Sequence, residues 1–176
     1  MAGDLVPLGH HGIRTLRGDA ALRRGAAEGL ARLMEAAEAA GEDLVVASAY
    51  RSFSEQQAIH AELSALYGEE AARISARPGH SEHQLGTTVD FTNAGAEYGV
   101  WSAFEETSAY RWLREHARDY GFVQSYRRGK EKETGYEAES WHYRYVGAEN
   151  ARRLEVTDLS LRAFLLREGV VPRCEQ

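Results

Sequence analysis

Cysteine, lysine and long apolar runs are what this sequence has least of. Its one cysteine, Cys174, stands close to the C-terminus of 176 residues, in a stretch expected to fray, so neither an internal disulfide nor a Cys-rich metal site is possible. Only Lys130 and Lys132 of the 21 basic residues are lysines, the arginines are scattered, and the formal charge is −6. Nucleic-acid and anionic-membrane surfaces depend on clustered positive charge, and none is present. No apolar stretch approaches the ~20 residues of a membrane span, and MAGDLVPLGHHGIR lacks the apolar core of a signal peptide. Two localisations stay open at this point: the cytoplasm, or export directed by a segment outside this chain.

A composition of 43% hydrophobic and 27% charged residues suits one globular domain able to bury a core. Asp19 is placed to cap a helix running to about Ala40, with Leu22, Leu30, Leu33, Met34 and Ala37 as its apolar stripe and Gly41 at its stop. DLVVASAY reads as a buried strand. Ser54 and Gln57 form a capping-box pattern before a helix carrying Ile59, Leu63 and Leu66, which Gly68 closes. TTVDF and WHYRYV read as further strands, Ser108–Tyr120 as a helix, and LSLRAFLLREG as a C-terminal helix. Strands and helices mixed without a repeating unit predict an α+β domain, core about residues 4–169, with a small, mostly antiparallel sheet flanked by helices.

The segment RPGHSEHQLGTTVDF gathers two histidines, a glutamate and an aspartate among few aliphatic side chains. With a third histidine further on, His83, Asp90 and His142 supply two imidazoles and a carboxylate, a three-ligand zinc shell with a fourth position free, at the sheet edge. Glu139, three residues before His142, is placed to act as a general base beside the metal, although HExxH itself is absent. Taken singly these residues have plainer explanations: a structural histidine, a chance Glu-x-x-His, an Asp90 paired with arginine. The carboxylate in an apolar strand is the most telling, because burying it unpaired is costly.

Four stretches in order, SAYRSFSEQ, PGHSEHQLGTTVDF, WLREHARDYGF and ESWHYRYVG, resemble the zinc D-alanyl-D-alanine carboxypeptidase family, which includes vancomycin-resistance D,D-carboxypeptidases and L,D-carboxypeptidases of cell-wall remodelling. The resemblance implies that His83, Asp90 and His142 bind one Zn2+, that Glu139 is the catalytic base, and that Arg51 faces the reacting carbonyl. It also implies that Gln56 and Ser81 hold the terminal carboxylate of a peptidoglycan stem peptide or D-Ala-terminated precursor, in the cell envelope. His80 and Glu82 are expected not to be ligands, His80 lying at the cleft rim or in a structural hydrogen bond. Two departures stand out: Ser140 replaces the usual proline after the glutamate, and Ser125, Tyr126 and Arg127 replace the usual Arg-Tyr-Pro. The first threatens the turn that holds Glu139, and the second the shape of the substrate rim.

A serine D,D-peptidase is excluded, because no serine stands three residues before either lysine as S-x-x-K requires. An L,D-carboxypeptidase, an endopeptidase of the same fold and a non-catalytic zinc-containing wall-binding module remain as alternatives. Retention of both Glu139 and Arg51 favours the enzyme.

Overall fold

A computed structural model describes residues 4–100 and 102–169; Cys174 lies outside them. Strands β1 (Leu5–Pro7) and β2 (Ala21–Arg23) pair antiparallel and lead into helix α1 (Arg24–Ala39). There follow β3 (Val45–Ser48), α2 (Phe53–Tyr67), the short α3 (Ala71–Ile74) and β4 (Thr88–Thr92). The second half adds α4 (Ser108–His116), β5 (Phe122–Gln124), α5 (Glu131–Thr134), β6 (His142–Tyr145), α6 (Ala148–Glu155) and α7 (Leu161–Arg167). The main sheet has the order β3-β4-β6-β5 with every pair antiparallel. This is the expected α+β architecture.

The sheet owes its cohesion to one apolar layer. Helix α1 buries Ala26, Ala27, Leu30, Leu33 and Ala37 against Val46, Val89, Phe91, Phe122 and Tyr143. Each fully buried leucine or phenylalanine contributes about 1.5–3 kcal/mol. A smaller cluster around Phe164 joins α6 and α7 to Val123. β4, the most buried strand, has all five residues buried, and it is the strand that carries Asp90.

Two helix starts differ from the sequence expectation. Asp19 caps nothing; its carboxylate pairs with Arg17 at 3.2 Å, and α1 begins at Arg24. Residues 21–23 are taken by pairing with β1, so Leu22 is buried from a strand instead of a helix. Tertiary pairing has overridden the local helical pattern. The capping box lies two residues before Ser54 and Gln57: Ser52 Oγ accepts from the Glu55 N–H and the Glu55 carboxylate accepts from the Ser52 N–H. Ser52 has the extended backbone of a cap (φ −68°, ψ 166°), whereas Ser54 is already within the helix. On α2 the apolar residues Ile59 and Leu63 line a cleft and Leu66 is exposed, so this helix walls the site instead of filling the core.

Gly121, at the entry to β5, has φ +88°, and a Cβ there would lie 2.7 Å from the Tyr145 ring and 3.0 Å from backbone atoms of Gly147 and Ala148. Gly121→Ala combines left-handed strain with a backbone clash and is expected to cost at least about 2 kcal/mol. Gly41→Ala has the strain (φ +79°) without the crowding and is expected to cost less. Urea denaturation of both variants checks the order.

Candidate metal centre and active site

β4 and β6 are the inner strands, and their register sets Asp90 opposite His142. The third group, His83, sits in a single 3-10 turn, Glu82–Leu85, ended by Gly86 in the left-handed conformation (φ +71°). A Cβ on Gly86 would come within 2.9 Å of Leu5, so glycine lets the loop turn tightly into β4 beneath the β1–β2 ribbon. His83, Asp90 and His142 are all buried, and one ligand atom from each lies within 4.8 Å of the others.

Hydrogen bonds fix how each imidazole is presented. Nδ1 of His83 lies 2.6 Å from the Ala49 carbonyl, which places its hydrogen there and leaves Nε2 facing Asp90 Oδ2 at 3.2 Å. His142 is arranged the other way. Its Nε2 lies 3.1 Å from Glu82 Oε2, while Nδ1 faces Asp90 Oδ1 at 3.1 Å and Glu139 Oε2 at 3.3 Å. Each ring thus turns one lone pair inward and anchors its opposite N–H to an oxygen outside, the arrangement usual for metal-binding histidines.

Charge points the same way. Burial opposes the ionisation of Asp90, yet the two histidines hold its carboxyl well below the usual range. Burial pushes Glu139 up to about 7, with Asp90 and Glu82 adding repulsion against the pull of His142 and Arg51. Burial alone would lower His142, but its hydrogen bonds to Asp90 and Glu82 raise it to about 10. Three carboxylates, Asp90, Glu139 and Glu82, therefore crowd one buried point, a setting that favours a cation there.

Glu82 is not one of the three convergent groups, but it is far from idle. Besides His142 it accepts from Arg144 Nη1 at 2.8 Å and Ser125 Oγ at 2.6 Å. These donors overcome the burial penalty and bring its carboxyl down to about 2. The sequence signal for Arg144 was available, since it stands two residues after His142 on the same face of β6. That Ser125, in the usual arginine's place, also reaches Glu82 is visible only in three dimensions. His80 is exposed.

The two departures are accommodated. Although Ser140 is not proline, the Glu139 N–H donates to the Tyr126 carbonyl at 2.9 Å and the Glu139 carbonyl accepts from Gln124 Nε2 at 2.9 Å. The turn is clamped by β5 and the loop after it. The Tyr126 ring packs 4.9 Å from His142 and 5.0 Å from Tyr136, forming an aromatic rim.

These groups open on a cleft of about 620 Å3. Ile59, Leu63, Tyr67 and Ile74 wall it on one side, Tyr126, Tyr136 and Trp141 on the other, with Arg51, Ser81 and Glu139 along it. Arg51 donates to Gln56 Oε1 at 2.8 Å and to Ser48 Oγ at 3.2 Å. Both amide hydrogens of the buried Gln56 are directed to protein oxygens, the Ala76 carbonyl at 2.6 Å and Ser75 Oγ at 3.3 Å. Gln56 therefore touches Arg51 and has no free donor for the cleft. Ser81 lines the cleft, and its hydroxyl has no side-chain partner among the described residues.

Residues 19–148 match the family model described as VanY, D-alanyl-D-alanine carboxypeptidase. The chain belongs to this family. A D-alanyl-D-alanine carboxypeptidase of Enterococcus faecalis is 40% identical over 146 residues, 77% of this chain and 52% of that protein. The chain spans about half the length of the curated relatives it matches first, 53% and 52%. Among solved structures, the LdcB LD-carboxypeptidase superposes with a TM-score of 0.85 at 32% identity, covering 93% of this chain and 78% of that one. The vancomycin-resistance D,D-pentapeptidase VanY, solved in complex with Zn(II), superposes with 0.73 at 35% identity, covering 87% and 88%. No helix among the described residues is long and apolar enough to cross a membrane.

Proposed function

We propose that the chain is a zinc-dependent carboxypeptidase that removes the terminal D-alanine from peptidoglycan stem peptides or their precursors. One observation carries the reading: His83, Asp90 and His142 converge within 4.8 Å with Glu139 3.3 Å from His142, and together with Arg51 they line a peptide-sized cleft. Two imidazole nitrogens, whose rings are anchored from behind by the Ala49 carbonyl and Glu82, and a carboxylate fit zinc. When bound, zinc supplies a Lewis acid that makes water acidic enough to be deprotonated near neutral pH.

The remaining chemistry belongs to the chain. Glu139 takes a proton from the attacking water and returns it to the leaving amine. Arg51, held by Gln56 and Ser48, donates to the carbonyl oxygen as negative charge grows on it. Ser81 donates to the terminal carboxylate, and Gln56 acts through Arg51. Arg51→Ala should therefore lower kcat and kcat/KM together by about 10²–10³, and Gln56→Ala should do the same to a smaller degree. Ser81→Ala should chiefly raise KM. Steady-state kinetics on a D-Ala-terminated pentapeptide separates the three.

Glu82→Gln keeps the shape behind His142 but removes the charge that Arg144 and the imidazole share. Zinc affinity should fall about 10–100-fold, measured by competition with a chelator. An unchanged affinity would show that Glu82 serves only the fold.

The similarity to LdcB favours a second reading, L,D-carboxypeptidase action on a tetrapeptide, whose residue before the terminal D-alanine is an L-centre. Products of pentapeptide and tetrapeptide substrates, identified by mass, decide between the two. Full zinc occupancy with bound but uncut peptide would instead favour a wall-binding module. The family's work on the cell wall supports an extracytoplasmic setting.

A further inference from the structure

Ser125 and Tyr126 reach Glu82 and the cleft, but Arg127, the third residue of that departure, does not line the cleft. Its guanidinium Nη2 donates instead to the backbone carbonyl of Leu159, 32 residues further on. That carbonyl is a firm anchor. Leu159 packs against the cluster of Val123, Leu161 and Phe164, and its N–H donates to Thr157 Oγ1 at 3.3 Å. The next residue, Ser160, caps α7 by accepting from the Ala163 N–H at 3.2 Å. A nearby ion pair between the same two segments, Lys130 with Asp158 at 3.1 Å, ends on an exposed carboxylate and contributes little. The Arg127 bond is partly buried and charge-assisted, which makes it the stronger tie.

What Arg127 holds is the peptide unit it shares with Tyr126. The carbonyl of that unit accepts from the Glu139 N–H at 2.9 Å, and Gln124 Nε2 reaches both it, at 3.3 Å, and the Glu139 carbonyl, at 2.9 Å. Glu139 lies in no helix or strand, so these bonds fix its backbone. Neither position 127 nor position 140 is proline, so no ring stiffens the chain on either side of the contact. A side chain does from outside what proline does from within the backbone.

We infer that Arg127 is a positioning residue for Glu139: tied to the Leu159 carbonyl, it fixes the Tyr126–Arg127 peptide, and through that peptide the backbone of the catalytic base. The inference rests on the reading of Glu139 as general base. A base whose backbone drifts meets the attacking water less often in a productive geometry, while the ligands of the metal and the walls of the cleft stay where they are.

Two variants of the zinc-loaded protein test this role: Arg127→Met, which keeps an alkyl stem but cannot donate, and Arg127→Lys, which restores a charged donor. Arg127 is only partly buried, so both are expected to fold. By NMR, the Glu139 amide of Arg127→Met should exchange about tenfold or more faster than in the parent, while the sheet amides of Val46 and Tyr145 keep their rates. On a D-Ala-terminated pentapeptide its kcat should fall about tenfold with KM and zinc affinity unchanged, and Arg127→Lys should recover most of both losses. Added to Glu139→Gln, Arg127→Met should cost no further kcat, because no base is left to position. Unchanged exchange at Glu139, a raised KM with kcat intact, or a loss that adds fully to that of Glu139→Gln would overturn the positioning role. A parent protein that cuts no peptide at full zinc occupancy would be a different failure, ending the reading of Glu139 as base and this role with it.

Discussion

Glu139→Gln should keep its zinc and lose about 10²–10⁴ of kcat, the scale of a missing general base. The amide has the shape of the carboxylate but cannot take a proton. The backbone clamp from Tyr126 and Gln124 does not involve the Glu139 side chain, so the turn should persist. Removing one of three crowded carboxylates also relieves repulsion among Asp90, Glu82 and Glu139, so the variant should be no less stable than the parent. Metal content by elemental analysis, beside turnover of a D-Ala-terminated pentapeptide, separates loss of chemistry from loss of metal. Near-normal turnover would move the base elsewhere, and His80, though exposed, would be the next candidate.

The second large effect is on metal itself. Alanine at His83, Asp90 or His142 leaves two protein ligands, too few to hold an open site. Zinc affinity should fall by more than the 10–100-fold typical of losing an outer hydrogen-bond partner, and turnover should vanish with it. Asp90→Ala should be the most severe, because Asp90 lies against both imidazoles, 3.2 Å from His83 Nε2 and 3.1 Å from His142 Nδ1. Removing it also leaves His142 without one of the three carboxylates that surround it. Equilibrium dialysis against buffered zinc measures all three variants. Full zinc retention in each would end the assignment.

The sequence made the site more legible than the fold around it. Spacing and chemical type alone brought His83, Asp90, His142 and Glu139 together as candidates, because a carboxylate inside an apolar strand demands a partner. The resemblance added Arg51, Ser81 and Gln56. Gln56 shows where this stops: its motif position suggests a donor for substrate, but only the structure shows both amide hydrogens engaged by Ala76 and Ser75. Glu82 is another case, since its partners Ser125, His142 and Arg144 lie 43, 60 and 62 residues away.

Strands β3, β4 and β6 were readable from β-branched and aromatic runs, and α4 and α7 from helical spacing. The start of α1 was not, because Leu22 fits a helical stripe and a strand equally well. Pairing with β1 decides it, and a three-residue strand leaves little local trace. The capping box was misplaced for a similar reason, two Ser-x-x-polar patterns overlapping within six residues. The turn at Glu139 survives the loss of proline through hydrogen bonds from β5 that no local pattern announces.

The central claim is that Arg51, Ser81 and the zinc centre act on a chain end and not on an internal bond. It is tested most directly by incubating the zinc-loaded protein with a D-Ala-terminated pentapeptide, free or amidated at its C-terminus, and weighing the products. Amidation leaves the scissile bond intact but removes the negative charge that Ser81 meets, weakening a charge-assisted hydrogen bond. Loss of one alanine from the free peptide, abolished by a chelator and restored by zinc, and little cleavage of the amide are expected. Equal cleavage of both peptides, or none of either at full zinc occupancy, would contradict it.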